Sequence, residues 1–237
     1  MGKIDAIILA GGLGTRLKGA VSNLPKVLAP VNGKPFLGIL LHLLDRSEKI
    51  GKVILAVGYM ADKIIERYRD SNAFRFRIAF SVETDPLGTG GAIKKALGYS
   101  ETDNVLVLNG DSYVEVDLEE FFAAHSAKNA ALTVVVKEVP DAGRYGRVLI
   151  DADGRVVSFE EKGVDPGSGF VNAGVYLLKR NLFERVEAEK AFSLEKDLLP
   201  AILGEAVYGF VSQGKFIDIG IPETYFMSGD YLKGIIP

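Results

Sequence analysis

The 237-residue chain carries 28 Lys and Arg against 31 Asp and Glu, a formal charge of −3, with 48% hydrophobic and 25% charged residues. That balance excludes a disordered or fibrous chain, and the missing basic surplus argues against a nucleic-acid partner, whose phosphates demand a Lys/Arg excess on some face. With no cysteine, disulfides, thiolate metal sites and cysteine nucleophiles are excluded; the longest uncharged apolar run, Phe36 to Leu44, is about half a membrane span. A soluble, cytoplasmic protein is expected, with no membrane partner.

From the N-terminus, short β-branched runs at Ile4 to Ala10, Lys52 to Val57, Phe76 to Val82 and Val105 to Leu108 predict strands. Helical patterns over Pro35 to Arg46, Ala61 to Tyr68, Gly90 to Leu97 and Leu118 to Ala127 follow them in turn, with Pro35 placed for a first turn and Asp117 for a cap. Alternating strand and helix predicts an α/β fold with a mostly parallel sheet covered on both faces. After residue 130 the rhythm changes: strands are expected at Leu132 to Lys137 and Val171 to Leu178, and a hairpin at Arg147 to Ile150 and Arg155 to Glu160. Ser193 to Leu203 reads as a helix capped by Ser193, Val207 to Ile219 as a ribbon, and Pro222 to Lys233 as a closing helix. One domain of two halves, 1–129 and 130–237, is expected, the second decorating the first.

Strand 1 runs into Gly11-Gly12-Leu13-Gly14-Thr15-Arg16-Leu17. Glycines at a strand's carboxyl end let backbone N–H groups approach an anion, although a plain tight turn has the same composition. The segment fits neither the Walker nor the dinucleotide pattern. Arg16, fixed just after such a nest, suits a phosphate clamp, and Lys26, held between Pro25 and Pro30, can serve as a second cation. Glu83 opens a third stretch, Glu83 to Ala92, whose glycines suit a base or ribose packed on the main chain. A carboxylate accepts both N1–H and N2–H of guanine, so a Glu83 reader prefers that base; an exposed strand-end charge is the alternative.

Asn109-Gly110-Asp111 ends the fourth strand, where a carboxylate suits a hard cation, and Asp218, flanked by apolar residues, is a plausible second ligand; a cap or turn role fits either equally. In the second half, Gly146, Glu160-Glu161-Lys162 and Asn172 make a set suited to sugar hydroxyls and a phosphate, while Glu160 and Lys162 also fit a cross-strand charge pair. Asp151-Ala152-Asp153 has the metal-binding pattern of glycosyltransferases, but its Gly154 favours a hairpin turn. His42 and His125 read as structural.

Taken together, these motifs resemble the sugar-1-phosphate nucleotidylyltransferases, whose Gly-Gly-x-Gly-Thr-Arg-Leu and Pro-Lys signature stands here at Gly11 to Leu17 and Pro25-Lys26. Within that family the likeness is greatest to the D-glycero-α-D-manno-heptose-1-phosphate guanylyltransferases, through Pro86 to Ile93, Leu108 to Asp111, Ser158 to Lys162, Asn172 to Tyr176 and Phe216 to Pro222. The resemblance implies a Rossmann-like fold with a small β-rich sugar-binding lobe, and transfer of GMP from GTP to a sugar 1-phosphate for cell-surface glycan synthesis. Mannose-1-phosphate guanylyltransfer and uridylyl or thymidylyl transfer are the alternatives, and a non-catalytic nucleotide-sugar binder a more distant one. By the same resemblance Leu9, Ala10, Gly11, Gly12, Glu83, Gly88 and Thr89 bind the nucleoside. Gly14, Thr15, Arg16 and Lys26 bind its phosphates, Asp111 and Asp218 hold Mg²⁺, Lys162 aims the sugar phosphate, and Gly146, Glu161 and Asn172 contact sugar hydroxyls. Arg16, Lys26 and Asp111 are the expected catalytic residues. The oligomeric state stays open, a homo-oligomer included.

Overall fold

One β-sheet draws strands from both halves of the chain. The computed structural model describes residues 2–17, 19, 21, 23–160, 167–184, 186–187 and 190–235. In chain order the elements are β1 (Ile4–Ala10), two-residue strands β2 (Pro30–Val31) and β3 (Lys34–Pro35), α1 (Phe36–Leu44), β4 (Ile50–Val57), α2 (Ala61–Tyr68), β5 (Arg77–Val82) and α3 (Gly88–Ala96). Next come β6 (Asn104–Asn109), β7 (Ser112–Val114), α4 (Leu118–Ala127), β8 (Leu132–Val139), β9 (Val148–Ile150), β10 (Val156–Phe159) and β11 (Gly169–Lys179). A π-helical turn over Leu194–Leu198 then runs into α5 (Leu199–Ala201), followed by β12 (Val207–Val211), β13 (Phe216–Asp218) and α6 (Pro222–Tyr231).

Seven strands form the main sheet in the order β12-β8-β11-β6-β1-β4-β5. β4, β1, β6 and β5 pair in parallel, and β12 pairs in parallel with β8. β11 runs against both of its neighbours, β6 and β8. The expected mixed, mostly parallel sheet is therefore found. The expectation that the second half decorates the first needs sharpening, because β8, β11 and β12 are integral strands of the same sheet.

Period-two alternation along β1 explains its place in the middle. Ile4, Ala6, Ile8 and Ala10 face a core with α1 and α4, where Phe36, Leu40, Phe121 and Phe122 are fully buried. Ile7 points the other way, into a core with Ile93, Ala96, Leu194 and Leu199. Strands buried on both faces read as continuous apolar runs, as β1, β4 and β6 do. Asp117 caps α4, its Oδ1 accepting from the N–H groups of Glu119 (2.9 Å) and Glu120 (3.0 Å). Pro35 precedes its helix as the cap residue, in extended conformation, one position before the expected first turn.

One local expectation fails and a second holds in a modified form. Residues 207–219 are not a ribbon: β12 extends the edge of the main sheet, while β13 leaves it to pair antiparallel with β7. The glycine at 214 turns the chain between them, where a Cβ would lie 2.4 Å from the Glu115 carbonyl oxygen. The segment from Ser193 is helical, but its first turn is π-helical, with Ser193 Oγ accepting from Lys196 N–H at 3.1 Å. The hairpin β9–β10 is present, and Asp151 Oδ1 accepts from the N–H groups of Asp153 and Arg155, both at 2.9 Å. That aspartate is a turn former, and among the described residues no cluster of three or more His, Asp or Glu forms a metal site. No helix among the described residues is long and apolar enough to cross a membrane.

Candidate active site

The carboxyl ends of β1, β4 and β6 open onto a cavity of about 500 Å³. Leu9, Gly11, Gly12, Lys26, Glu83, Gly88, Thr89, Asn109 and Asp111 line it, so much of the expected nucleotide set and one expected metal ligand share one wall. Ligands enter open α/β sheets at this edge, where strand ends leave backbone groups unpaired. Gly11 is forced by close approach: a Cβ would stand 3.2 Å from Gly58 N and 3.4 Å from Glu83 Oε1. Gly14 has φ +59°, and the loop it turns packs over the Cβ of Lys26. Ala10, Gly14, Thr15, Arg16 and Asp218 lie outside the cavity's lining.

Lys26 sits in a short 3-10 turn after Pro25, and its ammonium ion-pairs with Asp111 Oδ2. The pair is partly buried, a setting in which a charge-assisted bond holds both groups in place. Asp111 is joined to β13 by its carbonyl, which accepts from Ile219 N–H at 2.9 Å. The β7–β13 pairing sets Asp218 opposite Ser112, next along the chain from Asp111. Burial, and then the neighbouring Asp111 carboxylate, raise the Asp218 carboxyl above its ordinary range, against the pull of Gly220 N–H, Lys26 and Arg16. Two carboxylates that repel one another beside two cations form a donor set that fits a divalent cation, which takes one or two carboxylates and fills its remaining positions with phosphate oxygens. Arg16 is exposed, with its guanidinium near the Asp218-Gly220 turn.

Glu83 stands at the far end of the cavity. Its Oε2 accepts from Leu87 N–H at 3.1 Å, and burial raises its carboxyl above the ordinary range, partly offset by that bond and by Lys95. Oε1 faces the Gly11 side.

The glycine-rich loop that follows has a partner invisible in the sequence. The Phe192 carbonyl accepts from the N–H groups of Gly90 (3.0 Å) and Gly91 (3.3 Å), and Phe192 N–H donates to Leu87 carbonyl at 3.0 Å. A Cβ on Gly90 would lie 2.1 Å from the Phe192 ring, one on Gly88 2.5 Å from the Phe192 carbonyl, and one on Gly91 2.7 Å from the Lys190 carbonyl. The close approach that these glycines permit is made by the chain's own 190–192 segment. Gly88 and Thr89 still reach the cavity.

On the sugar side, the expected Gly146 N–H donates to Ala142 carbonyl at 3.2 Å, inside its own turn. Asn172 is likewise engaged: Nδ2 donates to Tyr176 Oη at 2.7 Å and Oδ1 accepts from Gly174 N–H at 2.9 Å. Neither residue lines the cavity. The Tyr145 ring beside Gly146 packs edge-on to Phe216 at 5.5 Å and lies near Asp218, which brings this turn towards the Asp111-Asp218 pair. Glu161 and Lys162 fall outside the described residues.

The two histidines are structural, as expected. His42 packs edge-on to Phe74. His125 is buried between Thr133 Oγ1 (2.8 Å) and Asn104 Oδ1 (3.2 Å), and burial, then the Lys179 charge, push it down to about 4. Tyr59 and Asn109 line the cavity, and Phe192 and Glu195 bond to the 87–91 loop beside it, without having been expected there; only the adjacency of Asn109 to Gly110-Asp111 hinted at one of them.

A family model described as nucleotidyl transferase matches residues 5–232. The chain belongs to that family. Similar to this nucleotidyltransferase is the D-glycero-α-D-manno-heptose 1-phosphate guanylyltransferase of Aneurinibacillus thermoaerophilus, 43% identical over 94% of this chain and 95% of that one. The crystal structure of HddC from Yersinia pseudotuberculosis complexed with GMP-PN superposes with a TM-score of 0.86 at 40% identity, covering 97% of this chain and all of that one. The mannose-1-phosphate guanylyltransferase of Mycobacterium tuberculosis is 35% identical over 99% of this chain and 66% of its own length. In this nucleotidyltransferase a half-buried carboxylate stands at one end of the cavity and a cation–carboxylate pair at the other.

Proposed function

We propose that this nucleotidyltransferase transfers GMP from GTP to a sugar 1-phosphate, D-glycero-α-D-manno-heptose 1-phosphate, releasing pyrophosphate and forming an activated sugar for glycan assembly. The observation that carries the reading is the cavity itself, with Glu83 at one end and Lys26-Asp111 at the other. The similarity to heptose 1-phosphate guanylyltransferases over almost the full length of both chains supports the acceptor, and the likeness to a structure complexed with GMP-PN supports the guanine nucleotide.

The attacking group is an oxygen of the sugar phosphate, whose second pKa near ~6 leaves it largely dianionic at neutral pH, so no general base is needed. The task is electrostatic, because the two substrates bring roughly six negative charges into one cleft. Arg16 and Lys26, with the backbone of residues 11–15, receive the triphosphate and the departing pyrophosphate. Lys26 exchanges its bond to Asp111 for one to phosphate. Asp111 and Asp218 hold Mg²⁺, which supplies charge neutralisation at the α-phosphate. Lys162 aims the sugar phosphate in line, and Glu161 takes a sugar hydroxyl. Gly146 and Asn172 shape the sugar side through the turn and strand that they stabilise. Leu9 to Gly12, Glu83, Gly88 and Thr89 hold the nucleoside. With the substrates in line, positioning and charge neutralisation supply the rate.

A matrix of GTP, UTP, dTTP and ATP against heptose, mannose and glucose 1-phosphates, scored by pyrophosphate release, tests the proposal. The expected result is fastest release with GTP and the heptose phosphate. No release with any pair, or a UTP or dTTP preference, overturns it.

A further inference from the structure

A polar network that reaches the cavity wall at Thr89 and Asn109 ends in one unanswered acceptor. Glu195, on the π-helical turn, gathers three hydroxyls: Oε2 accepts from Thr89 Oγ1 (2.7 Å) and Ser193 Oγ (3.1 Å), and Oε1 from Tyr176 Oη (3.2 Å). A phenol has a single hydrogen. With that hydrogen turned to Glu195, the oxygen of buried Tyr176 accepts from Asn172 Nδ2 at 2.7 Å and presents its remaining lone pair to the neighbouring Asn109 side chain. Both amides must therefore turn their nitrogens to Tyr176. The Asn172 oxygen then finds Gly174 N–H at 2.9 Å. The Asn109 oxygen finds nothing: Oδ1 is buried and without a hydrogen-bond partner, while the residue forms part of the cavity wall.

Gly174, at φ +77°, packs directly against this side chain, where a Cβ would lie only 2.9 Å from Nδ2. Turning the amide over would set its oxygen against a phenol oxygen with no hydrogen to give. Buried acceptors without donors are rare and costly, and one on a residue of the cavity wall is met by a ligand's donor once a small shift of the side chain exposes it.

The position of Asn109 says which ligand. Its backbone pairs with Leu9 of β1 on one side. On the other, the pairing of β6 with β11 ends at Leu108 and Val175, and the irregular stretch of β11 that follows, with Gly174 and Asn172, lies against its side chain. Asn109 is thus the last β6 residue, between the nucleotide side and the β11 residues expected at the sugar, two residues before Asp111. We propose that Asn109 Oδ1 accepts a hydrogen bond from a hydroxyl of the acceptor sugar, and that Glu195 and Tyr176 act as positioning residues that hold the amide in the accepting orientation. This rests on the sugar 1-phosphate reading given above.

Steady-state kinetics with heptose 1-phosphate and its monodeoxy derivatives, beside calorimetric GTP titration, test it. Asn109→Leu lowers kcat/KM for the sugar phosphate by about tenfold or more, with GTP affinity within about twofold of wild type. The loss disappears for one monodeoxy derivative, the one lacking the partner hydroxyl. Tyr176→Phe, which frees the amide to turn, gives a smaller loss that disappears for the same derivative. Should either variant unfold, the deoxy series on the wild-type protein carries the test alone, one derivative falling by about tenfold. An unchanged kcat/KM in a folded Asn109→Leu, a loss equal across the series, a flat wild-type series, or a loss that follows 2′- or 3′-deoxy-GTP overturns the assignment. A wild-type protein that turns over no sugar 1-phosphate overturns instead the reading on which it rests.

Discussion

The two sides of the cleft use their polar residues differently. At the ends of β1, β5 and β6, Glu83 and Asp111 reach the cavity with only part of their hydrogen-bonding capacity engaged by the protein, Glu83 by Leu87 N–H and Asp111 by one donor on each oxygen, Lys26 and Ser112 Oγ. Along β11 and the 142–147 turn, Asn172 and Gly146 have their amides engaged internally. A motif on the first side presents chemistry to a ligand, whereas a motif of similar polarity on the second holds the wall in shape. Residue type alone does not separate these uses, because both satisfy the requirement that buried polar groups be bonded.

The largest test of this contrast is Asp111→Asn. It removes a charge from the group opposite Lys26 and should lower kcat by about a thousandfold with an intact fold; near-normal turnover would collapse the distinction. His125→Gln probes a purely internal polar group. Its folded value, about 4, lies below the unfolded 6.5, so its stabilising effect is complete above 6.5 and is lost as pH falls from there towards 4. Over that window the wild type should lose up to about 3 kcal/mol from this residue, and denaturant melts of the variant should show a flatter slope. Gly90→Ala drives a Cβ into the Phe192 ring, and overpacking of this kind should cost about 2 kcal/mol in urea melts. Unchanged stability would mean that the 190–192 segment does not grip the loop. Smallest is Glu83→Gln. Its carbonyl oxygen stays on Leu87 N–H, so the NH₂ turns to the base, and the kcat/KM ratio of GTP to UTP should fall by about tenfold. A constant ratio removes Glu83 from base reading.

Much of the first half was legible from periodicity, because strands buried on both faces and amphipathic helices leave long, strong patterns. The 11–17 loop, Glu83 and Asp111 were read from their places at strand ends, and Lys26 from the prolines on either side of it. What escaped was non-local. β7 and β13 are three residues each, and only their mutual pairing makes them strands. Phe192 and Glu195 matter through contacts with a loop about a hundred residues earlier, and the role of Asn109 depends on a phenol's single hydrogen. The glycines of the 88–91 stretch were visible, but the backbone that needs them was not. A glycine announces that something comes close without naming it.

The clamp between that loop and the 190–195 segment also orders events during synthesis. Thr89 and Glu195 are 106 positions apart, so the base end of the cavity emerges from the ribosome long before the carboxylate and the Phe192 carbonyl that fix it. A nascent or truncated chain ending short of residue 190 has the Gly11–Leu17 nest and Glu83 but lacks the brace that shapes their companion loop. Substrate binding then stabilises the finished chain over its fragments.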